Sequence, residues 1–521
     1  MPVDLSLAGI DDAQAPVSTL CALFDHAVAT APETVALRHL DTALTWREMG
    51  RAVWALARRL AEIVAPGDVV ALVLPNSIEF HIAYFAALKA LAAPGLLNPV
   101  YPAVQLAPLL RDTVPRHTLR AGESLPDGRT RPRVGDSWRD LHGTGRYDAG
   151  SRCRARETCW VARRQAGRSR SAVVQRRTAG IPKAVEHTHR RLAFSVRSMA
   201  QIFAPRTEGD VFLAIAPFSH IYGLLAGVLL PVSGRGETVI PERFQPEHLV
   251  ELIMRHRVTF FGGGPPAIYA AVLAATNLHG ADLSSLRICP AGAAPFPVEL
   301  MDRWRRATGL EIREGYGMTE IAPISGPTEE SAIKQDSVGK PVPGCEVQVV
   351  DLDDGVRVLP QGERGELRVC GPHMIVGYRN RPEETAQTIR DGFIYTGDIG
   401  YIDGNGFVFI TDRKKDVVFV KGFNVFPREV EEVIYTHPKV GMAGVVGAPD
   451  VRNGGERVIA FVVPKTGETV HKTEIFALCA SRLAGYKCPA ELHVVGELPM
   501  TAAHKLDRIA LRRAVSAEEQ S

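Results

Sequence analysis

A chain of 521 residues, 45% hydrophobic and 23% charged, is too long for one core and too ordinary in composition to be disordered, collagenous or stapled by disulfides. Its eight cysteines form no C-x-x-C pair, its N-terminus lacks the charged-then-apolar pattern of a signal peptide, and its longest apolar run, Ile221 to Val232, is 12 residues, too short for a transmembrane segment. These features lead us to expect a soluble chain in a reducing cytoplasm, with no zinc or disulfide framework.

The first segment reads as α/β. Thr45 followed by Glu48 predicts a capping box, and Met49, Val53, Leu56, Ala57, Leu60 and Ala61 recur at helical spacing behind it. After the Gly67-Asp68 turn, Val69 to Leu74 is a near-continuous apolar run of the kind buried on both faces of a parallel sheet. Pro75-Asn76-Ser77 ends that strand and caps a helix carrying Phe80, Ala83, Tyr84 and Leu88; with a strand at Leu96-Leu97 this makes a βαβ unit.

That grammar stops near Pro115. Residues 116–177 hold 16 Arg, no Lys and 6 acidic residues, a local charge of +10 against −7 for the rest of the chain and +3 overall. The stretch also lacks Ile, Met, Phe and Asn, and only seven of its 62 residues are Leu or Val, so no strand or helix period is expected. A basic patch would ordinarily point to nucleic acid, but no such partner is expected here. The five missing residue types are those with A/T-rich codons, which is what a GC-rich gene yields when read out of frame. The expectation is an aberrant, frame-shifted segment near 114–177, with a real disordered basic insert as the alternative.

Regular patterning returns at Thr178. Gly180-Ile181-Pro182-Lys183, expected to lead into a helix, would present Lys183 as a point charge to polyphosphate, or simply as a solvated lysine. The loop Pro217-Phe218-Ser219-His220 places His220 either at a pocket or in a core. Gly262, Gly263 and Gly264 would let a tunnel or ligand pass close to backbone. Gly292-Ala293-Ala294 follows a strand, at the end where open α/β sheets bind ligands.

The densest signal is Glu314-Gly315-Tyr316-Gly317-Met318-Thr319-Glu320. Glycines allow close backbone approach, Tyr316 offers a face to a purine, Thr319 a hydroxyl to phosphate, and Glu320 a hard oxygen to Mg²⁺. Short β segments follow from about 338, with Tyr395-Thr396-Gly397-Asp398 among them; Asp398 would bind a ribose diol or cap a turn. Asp412-Arg413-Lys414-Lys415-Asp416 is a charged stretch suited to a linker. A small α+β block ends the chain, with Pro427 at a helix start and a small-residue loop ending in Lys505.

Taken in order and spacing, these segments resemble the acyl-adenylate-forming superfamily, in particular acyl-CoA synthetases and 4-coumarate-CoA ligase-like enzymes. The resemblance covers roughly 18–113 and 178–513. It implies a large α/β N-terminal domain of parallel-sheet subdomains plus a small β subdomain (1–411), then a small mobile α+β C-terminal domain (412–521). It also implies an ATP- and Mg²⁺-dependent ligase that adenylates a carboxylic acid, fatty in preference to aryl, and passes the acyl group to CoA; a carrier-protein thiol is the alternative acceptor. Ser219-His220 replaces the Asp that amino-acid-activating relatives carry after Pro-Phe, favouring an acid without an amine.

By the same resemblance Tyr316 stacks on adenine beside Gly292, Ala293, Ala294 and Gly317. Thr178, Gly180 and Lys183 serve the phosphate loop, while Thr319 contacts the α-phosphate. Glu320 holds Mg²⁺, and Asp398 with Arg413 binds the ribose. Lys505 is the adenylation lysine, Lys415 the hinge, Lys421-Gly422 borders the thiol channel, and His220 joins the acyl and thiol pockets. The pattern departs from the family at Gln175-Arg176-Arg177, where small hydroxyl residues and a glycine would form an anion nest. A catalytically dead relative is therefore the competing reading.

Overall fold

Local signals explain the first elements. Thr45 caps helix Trp46–Ala61, and both halves of the capping box form with Glu48. The helix buries Trp46, Met49, Val53, Ala57 and Leu60, so of the expected stripe only Leu56 and Ala61 fall outside the buried face. Ser77 caps helix Ile78–Lys89 by accepting from the Phe80 N–H. That helix connects the parallel strands Val69–Val73 and Ala93–Leu97, as a βαβ unit must.

The computed structural model describes residues 19–101, 103–113, 115–120, 170–175, 183–206, 209–292, 296–328, 333–420, 423–450, 455–465, 467–500 and 506–518. A six-stranded sheet runs Gly377–Tyr378, Lys183–Thr188, Arg170–Gln175, Ala93–Leu97, Val69–Val73, His117–Arg120. Two of these strands come from the Arg-rich stretch, which corrects the expectation that it supplies none. Each is short and has a ready-made ladder beside it: His117–Arg120 lies parallel to Val69–Val73, and Arg170–Gln175 lies between Ala93–Leu97 and Lys183–Thr188. Backbone pairing makes few demands on composition, and Ala172-Val173-Val174 includes two β-formers.

A second correction follows from the same sheet. Lys183 opens strand Lys183–Thr188, and the helix His189–Phe203 begins only after it, capped by Thr188. The antiparallel ladders to Arg170–Gln175 and Gly377–Tyr378 draw these residues into the sheet.

The second α/β sheet runs Phe260–Phe261, Val211–Leu213, Glu237–Ile240, Val35–His39, Thr42–Thr45. A mostly antiparallel β unit follows, built on Glu346–Val350, Gly365–Cys370 and Phe393–Ile402, with Val408–Arg413 on the last of these. Asp412 and Arg413 therefore end a strand, paired to Ile399 and Asp398, and the charged stretch is not linker throughout. Beyond it, Val440–Pro449, Glu456–Pro464 and Glu491–Val494 form a three-stranded sheet covered by helices Pro427–Tyr435, Lys472–Arg482 and Arg508–Glu518. Two apolar clusters within 418–515 fill this block, separate from the three large clusters that fill the α/β sheets and the β unit.

Candidate active site

Strands Cys289–Ala291 and Ile312–Glu314 run parallel, so Gly292 and Gly315 leave their C-terminal ends side by side. A Cβ on Gly292 would sit 2.8 Å from the Gly315 carbonyl oxygen, so the position must be glycine. Here a cleft of about 880 Å³ opens. Gly292, Glu314–Glu320, Tyr395–Asp398 and Arg413–Asp416 line it, joined by His220, Met500, Leu506 and Arg508. Open α/β sheets bind ligands at such strand ends.

The central motif is a hairpin. Strand Tyr316–Met318 pairs with Ile321–Gly326, Met318 opposite Ile321, and Thr319-Glu320 forms the two-residue connection at the cleft wall. Gly317 leaves room for the returning strand, since a Cβ would stand 3.2 Å from Ala322 Cα. The turn is held from outside. His187 Nε2–H donates to the Thr319 carbonyl (2.9 Å) and the Ile375 N–H to the Glu320 carbonyl (2.9 Å). His373 Nε2–H donates to the Pro323 carbonyl further along (2.6 Å). Burial lowers both imidazoles to about 4, so they stay neutral and keep the donating tautomer.

Two side chains of the motif are themselves anchored. The Tyr316 hydroxyl donates to Asp398 Oδ2 (2.6 Å), while Arg413 Nε meets Asp398 Oδ1 at 2.9 Å. Burial, and next the Asp398 carboxylate, hold the Tyr316 phenol well above its usual range, so it remains the donor. Glu320, 2% exposed, accepts from the Tyr378 hydroxyl at Oε1 (2.5 Å). Among the described residues no group of three His, Cys, Asp or Glu could hold a metal unaided. A single buried carboxylate facing a cleft suits Mg²⁺, which completes its shell with phosphate oxygens and water.

The remaining expected residues divide. His220 lines the cleft and also caps the helical segment beginning at Ile221, its Nδ1 accepting from the Tyr222 N–H (3.2 Å). Its loop is fixed by Asn76, which donates to the Ala216 carbonyl and accepts from the Phe218 N–H. Lys183 is buried one layer behind the cleft wall, 4.5 Å from the Tyr378 ring centre and 3.9 Å from Glu384 Oε1. Of the three consecutive glycines, Gly262 and Gly263 are consumed by packing: Cβ atoms there would meet the Leu213 carbonyl at 2.5 Å and the Phe261 ring at 2.6 Å. Thr178, Gly180, Ala293, Ala294, Lys421, Gly422 and Lys505 lie outside the described residues.

Around the linker the charges are sorted. Arg413 and Lys414 pair with Asp398 and Glu366 (2.9 Å each), both on the N-terminal side, whereas Asp416 pairs with Arg512 (3.0 Å) in the C-terminal block. Lys415 stands between the two sets. Sequence reasoning missed His187, Tyr378 and Asn76; a histidine beside the expected phosphate lysine was the one available signal, and the other two act through tertiary contacts alone.

The cleft thus joins a carboxylate-anchored tyrosine, a metal-ready carboxylate and a glycine-lined backbone, the equipment of a nucleotide-using enzyme. Comparison with known proteins agrees. The family described as AMP-binding enzyme matches residues 24–143 and 178–379, and the AMP-binding enzyme C-terminal domain matches 429–505. The chain belongs to the AMP-binding enzyme family. The family match passes over 144–177, the second half of the Arg-rich stretch.

Among its relatives, a long-chain-fatty-acid–CoA ligase of Bacillus subtilis (strain 168) is 38% identical over 66% of this chain and 60% of its own length. A feruloyl-CoA synthase of an Amycolatopsis species is 33% identical over 93% of this chain and 96% of its own. The crystal structure of ATP-bound MatB from Rhodopseudomonas palustris superposes with a TM-score of 0.82 at 25% identity, covering 95% of this chain and 99% of that one; the apo form of the same protein gives 0.74. These relatives lend no support to the catalytically dead reading.

Proposed function

We propose that the chain is an ATP-dependent acid–CoA ligase that forms an acyl-adenylate, releases pyrophosphate, and then transfers the acyl group to CoA with release of AMP. One observation carries this most directly: a single cleft gathers Tyr316, Thr319, Glu320, Asp398 and Arg413 from the N-terminal side and the residues flanking the Lys505 loop, Met500 and Leu506, from the other. Adenine stacks on Tyr316 over the backbone of Gly292 and Gly315. Asp398, already oriented by Tyr316 and Arg413, receives the ribose. Thr319 faces the α-phosphate, and Glu320 would hold Mg²⁺, which would supply neutralisation of phosphate charge. Lys183 reaches phosphate by giving up Glu384.

The first step needs fixed positive charge more than it needs a nucleophilic side chain. The substrate carboxylate attacks the α-phosphorus, the bond to pyrophosphate breaks, and charge grows on oxygens that Lys505 stabilises. In the second, the CoA thiol attacks the acyl carbon and AMP departs. Residues 1–411 and 412–521 act as two domains, with Asp412 to Lys414 of the linker still anchored on the N-terminal side, and Lys415, between the tethers of Arg413-Lys414 and Asp416, is the hinge between the steps. The closer match to ATP-bound than to apo MatB supports an adenylation-ready arrangement.

The acid is a carboxylic acid without an amine, fatty in preference to aryl. The cleft that His220 lines is also lined by Met199, Ile202, Phe203, Tyr222 and Leu225, apolar side chains suited to an acyl tail, and Ser219-His220 stands where amino-acid-activating relatives carry an Asp. The stronger identity to a long-chain-fatty-acid–CoA ligase favours the fatty acid.

The test is pyrophosphate release with acid present and CoA absent, followed by addition of CoA or a carrier-protein thiol. Acid-dependent release, completed to thioester by CoA, is the expected result. Lys505→Ala should slow release by about 10²–10³-fold. Wild-type protein that releases none overturns the ligase, and an unchanged Lys505→Ala rate removes that lysine from the first step.

A further inference from the structure

Helix Pro427–Tyr435 starts the C-terminal block, yet its second residue is bonded to the other body. The Arg428 N–H donates to Asp412 Oδ2 (2.9 Å), and its guanidinium Nη1 donates to the Ile410 carbonyl (2.5 Å). Nε stands 3.5 Å from Glu432 Oε1, one turn along the helix, and the side chain is 11% exposed. Both acceptors on the other body precede Lys415 and the donor follows it. Rotation about the linker must therefore break both bonds. The Arg364 guanidinium, 6.0 Å over the Phe426 ring, adds a weaker contact across the same line.

Apart from the Arg413 carbonyl, which accepts from the Asp416 and Val417 N–H groups within the linker turn itself (2.8 and 3.2 Å), the other tethers differ in kind. Arg413 and Lys414 pair with residues on their own side of Lys415, and Asp416–Arg512 and Glu431–Arg508 join residues that both follow it. Those pairs survive a rotation intact. A buried guanidinium is tolerated only while its donors are met, so Arg428 favours the docked arrangement and becomes solvated in any other. Its charge also reaches the nucleotide side of the cleft. It opposes the upward push of burial on the Glu314 carboxyl, which directly precedes Gly315-Tyr316 and whose Oε2 has no hydrogen-bond partner among the described residues.

We propose that Arg428 is a docking latch, a positioning residue that holds the C-terminal block against the cleft during adenylation and is released for the thiol step. This rests on the ligase reading above. The experiment compares Arg428→Ala, Arg428→Gln and Arg428→Lys in two assays: acid-dependent ATP–pyrophosphate exchange, and single-turnover consumption of pre-formed acyl-adenylate by CoA. Exchange should fall in Arg428→Ala by about 5–150-fold, the range of ordinary conformational coupling. Arg428→Lys should lie between it and wild type, and the thiol step should stay at or above the wild-type rate. Unchanged exchange in Arg428→Ala, or an equal fall of both steps in all three variants, overturns the latch. Wild-type protein inactive in both assays overturns the ligase itself, and the latch with it.

Discussion

The hairpin at Tyr316–Gly326 and the linker at Arg413–Asp416 border the same cleft and are held in opposite ways. The hairpin's turn and first strand are gripped from several elements at once: His187 and the Ile375 N–H grip its carbonyls, Tyr378 grips Glu320, and Asp398 grips Tyr316. The charged side chains of the linker are held toward different bodies: Arg413 and Lys414 by Asp398 and Glu366, and Asp416 by Arg512. A convergent clamp fixes groups that must meet a transition state, while a divided clamp lets the torsions between its two sets change. On the proposed reading, rigidity and a hinge would draw on the same kinds of ion pair and hydrogen bond, distinguished by which sides they connect.

The largest effect should come from breaking the convergent side. Glu320→Gln keeps the shape and the contact with Tyr378 but removes the charge offered to Mg²⁺. Acid-dependent pyrophosphate release at saturating ATP should fall by about 10²–10³-fold, and the Mg²⁺ concentration giving half-maximal rate should rise. A rate and Mg²⁺ dependence like wild type would detach Glu320 from the metal. The divided side should respond more selectively. Lys415→Pro fixes φ at the proposed hinge and restricts the residue before it, inside the turn that the Asp416 N–H closes on the Arg413 carbonyl. The thiol step should slow by about tenfold more than adenylation, 1.4 kcal/mol. Equal slowing of both steps would place the hinge elsewhere.

Much of this was legible in the residues because its signals are local. The Thr45 capping box and the buried run at Val69 each report on chain within a few positions, and each took the expected form. What was not legible depends on partners distant in sequence. Lys183 lies in a strand because Arg170–Gln175 and Gly377–Tyr378 pair with its segment, and no window around Lys183 contains the second of these. Residues 117–120 and 170–175 enter the sheet despite poor composition because neighbouring ladders accept their backbone. The strand Glu491–Val494 and the terminal helix Arg508–Glu518 were missed for the same reason, their apolar faces being too short to stand out alone. Asp412 reads as linker by charge but is 6% exposed, since Arg413 and Arg428 donate their backbone N–H groups to its carboxylate.

The smallest predicted effect tests how far the hairpin clamp depends on neutral histidines. His81, His187, His189 and His373 are each lowered by burial from 6.5 to about 4. Between those values the unfolded chain takes up four protons that the folded chain refuses, so acidification removes stability. Glu314 and Glu431 act in the opposite sense, because burial raises each from 4.5 to about 7. Their stabilisation is present at low pH and lost as pH rises through 7. Between pH 4.5 and 6.5 the four histidines outweigh the two glutamates, leaving a net uptake of two protons on unfolding from these groups. These six groups should therefore make stability rise with pH by about 2.7 kcal/mol per unit, at 1.36 per proton, levelling off near 7, with Asp412 and Glu432, which burial also raises, reducing the slope. His187→Leu should lower that slope by about 1.4 kcal/mol per unit and slow adenylation a few-fold, as expected for one lost donor worth about 0.5–1.5 kcal/mol. His187→Gln should show the same change of slope while keeping the rate, because its amide N–H can still reach the Thr319 carbonyl. Denaturant titrations at half-unit pH intervals, paired with pyrophosphate release, separate the two contributions. If Gln and Leu lose rate equally, the Thr319 contact is not what His187 supplies, and the clamp rests on Ile375 and Tyr378.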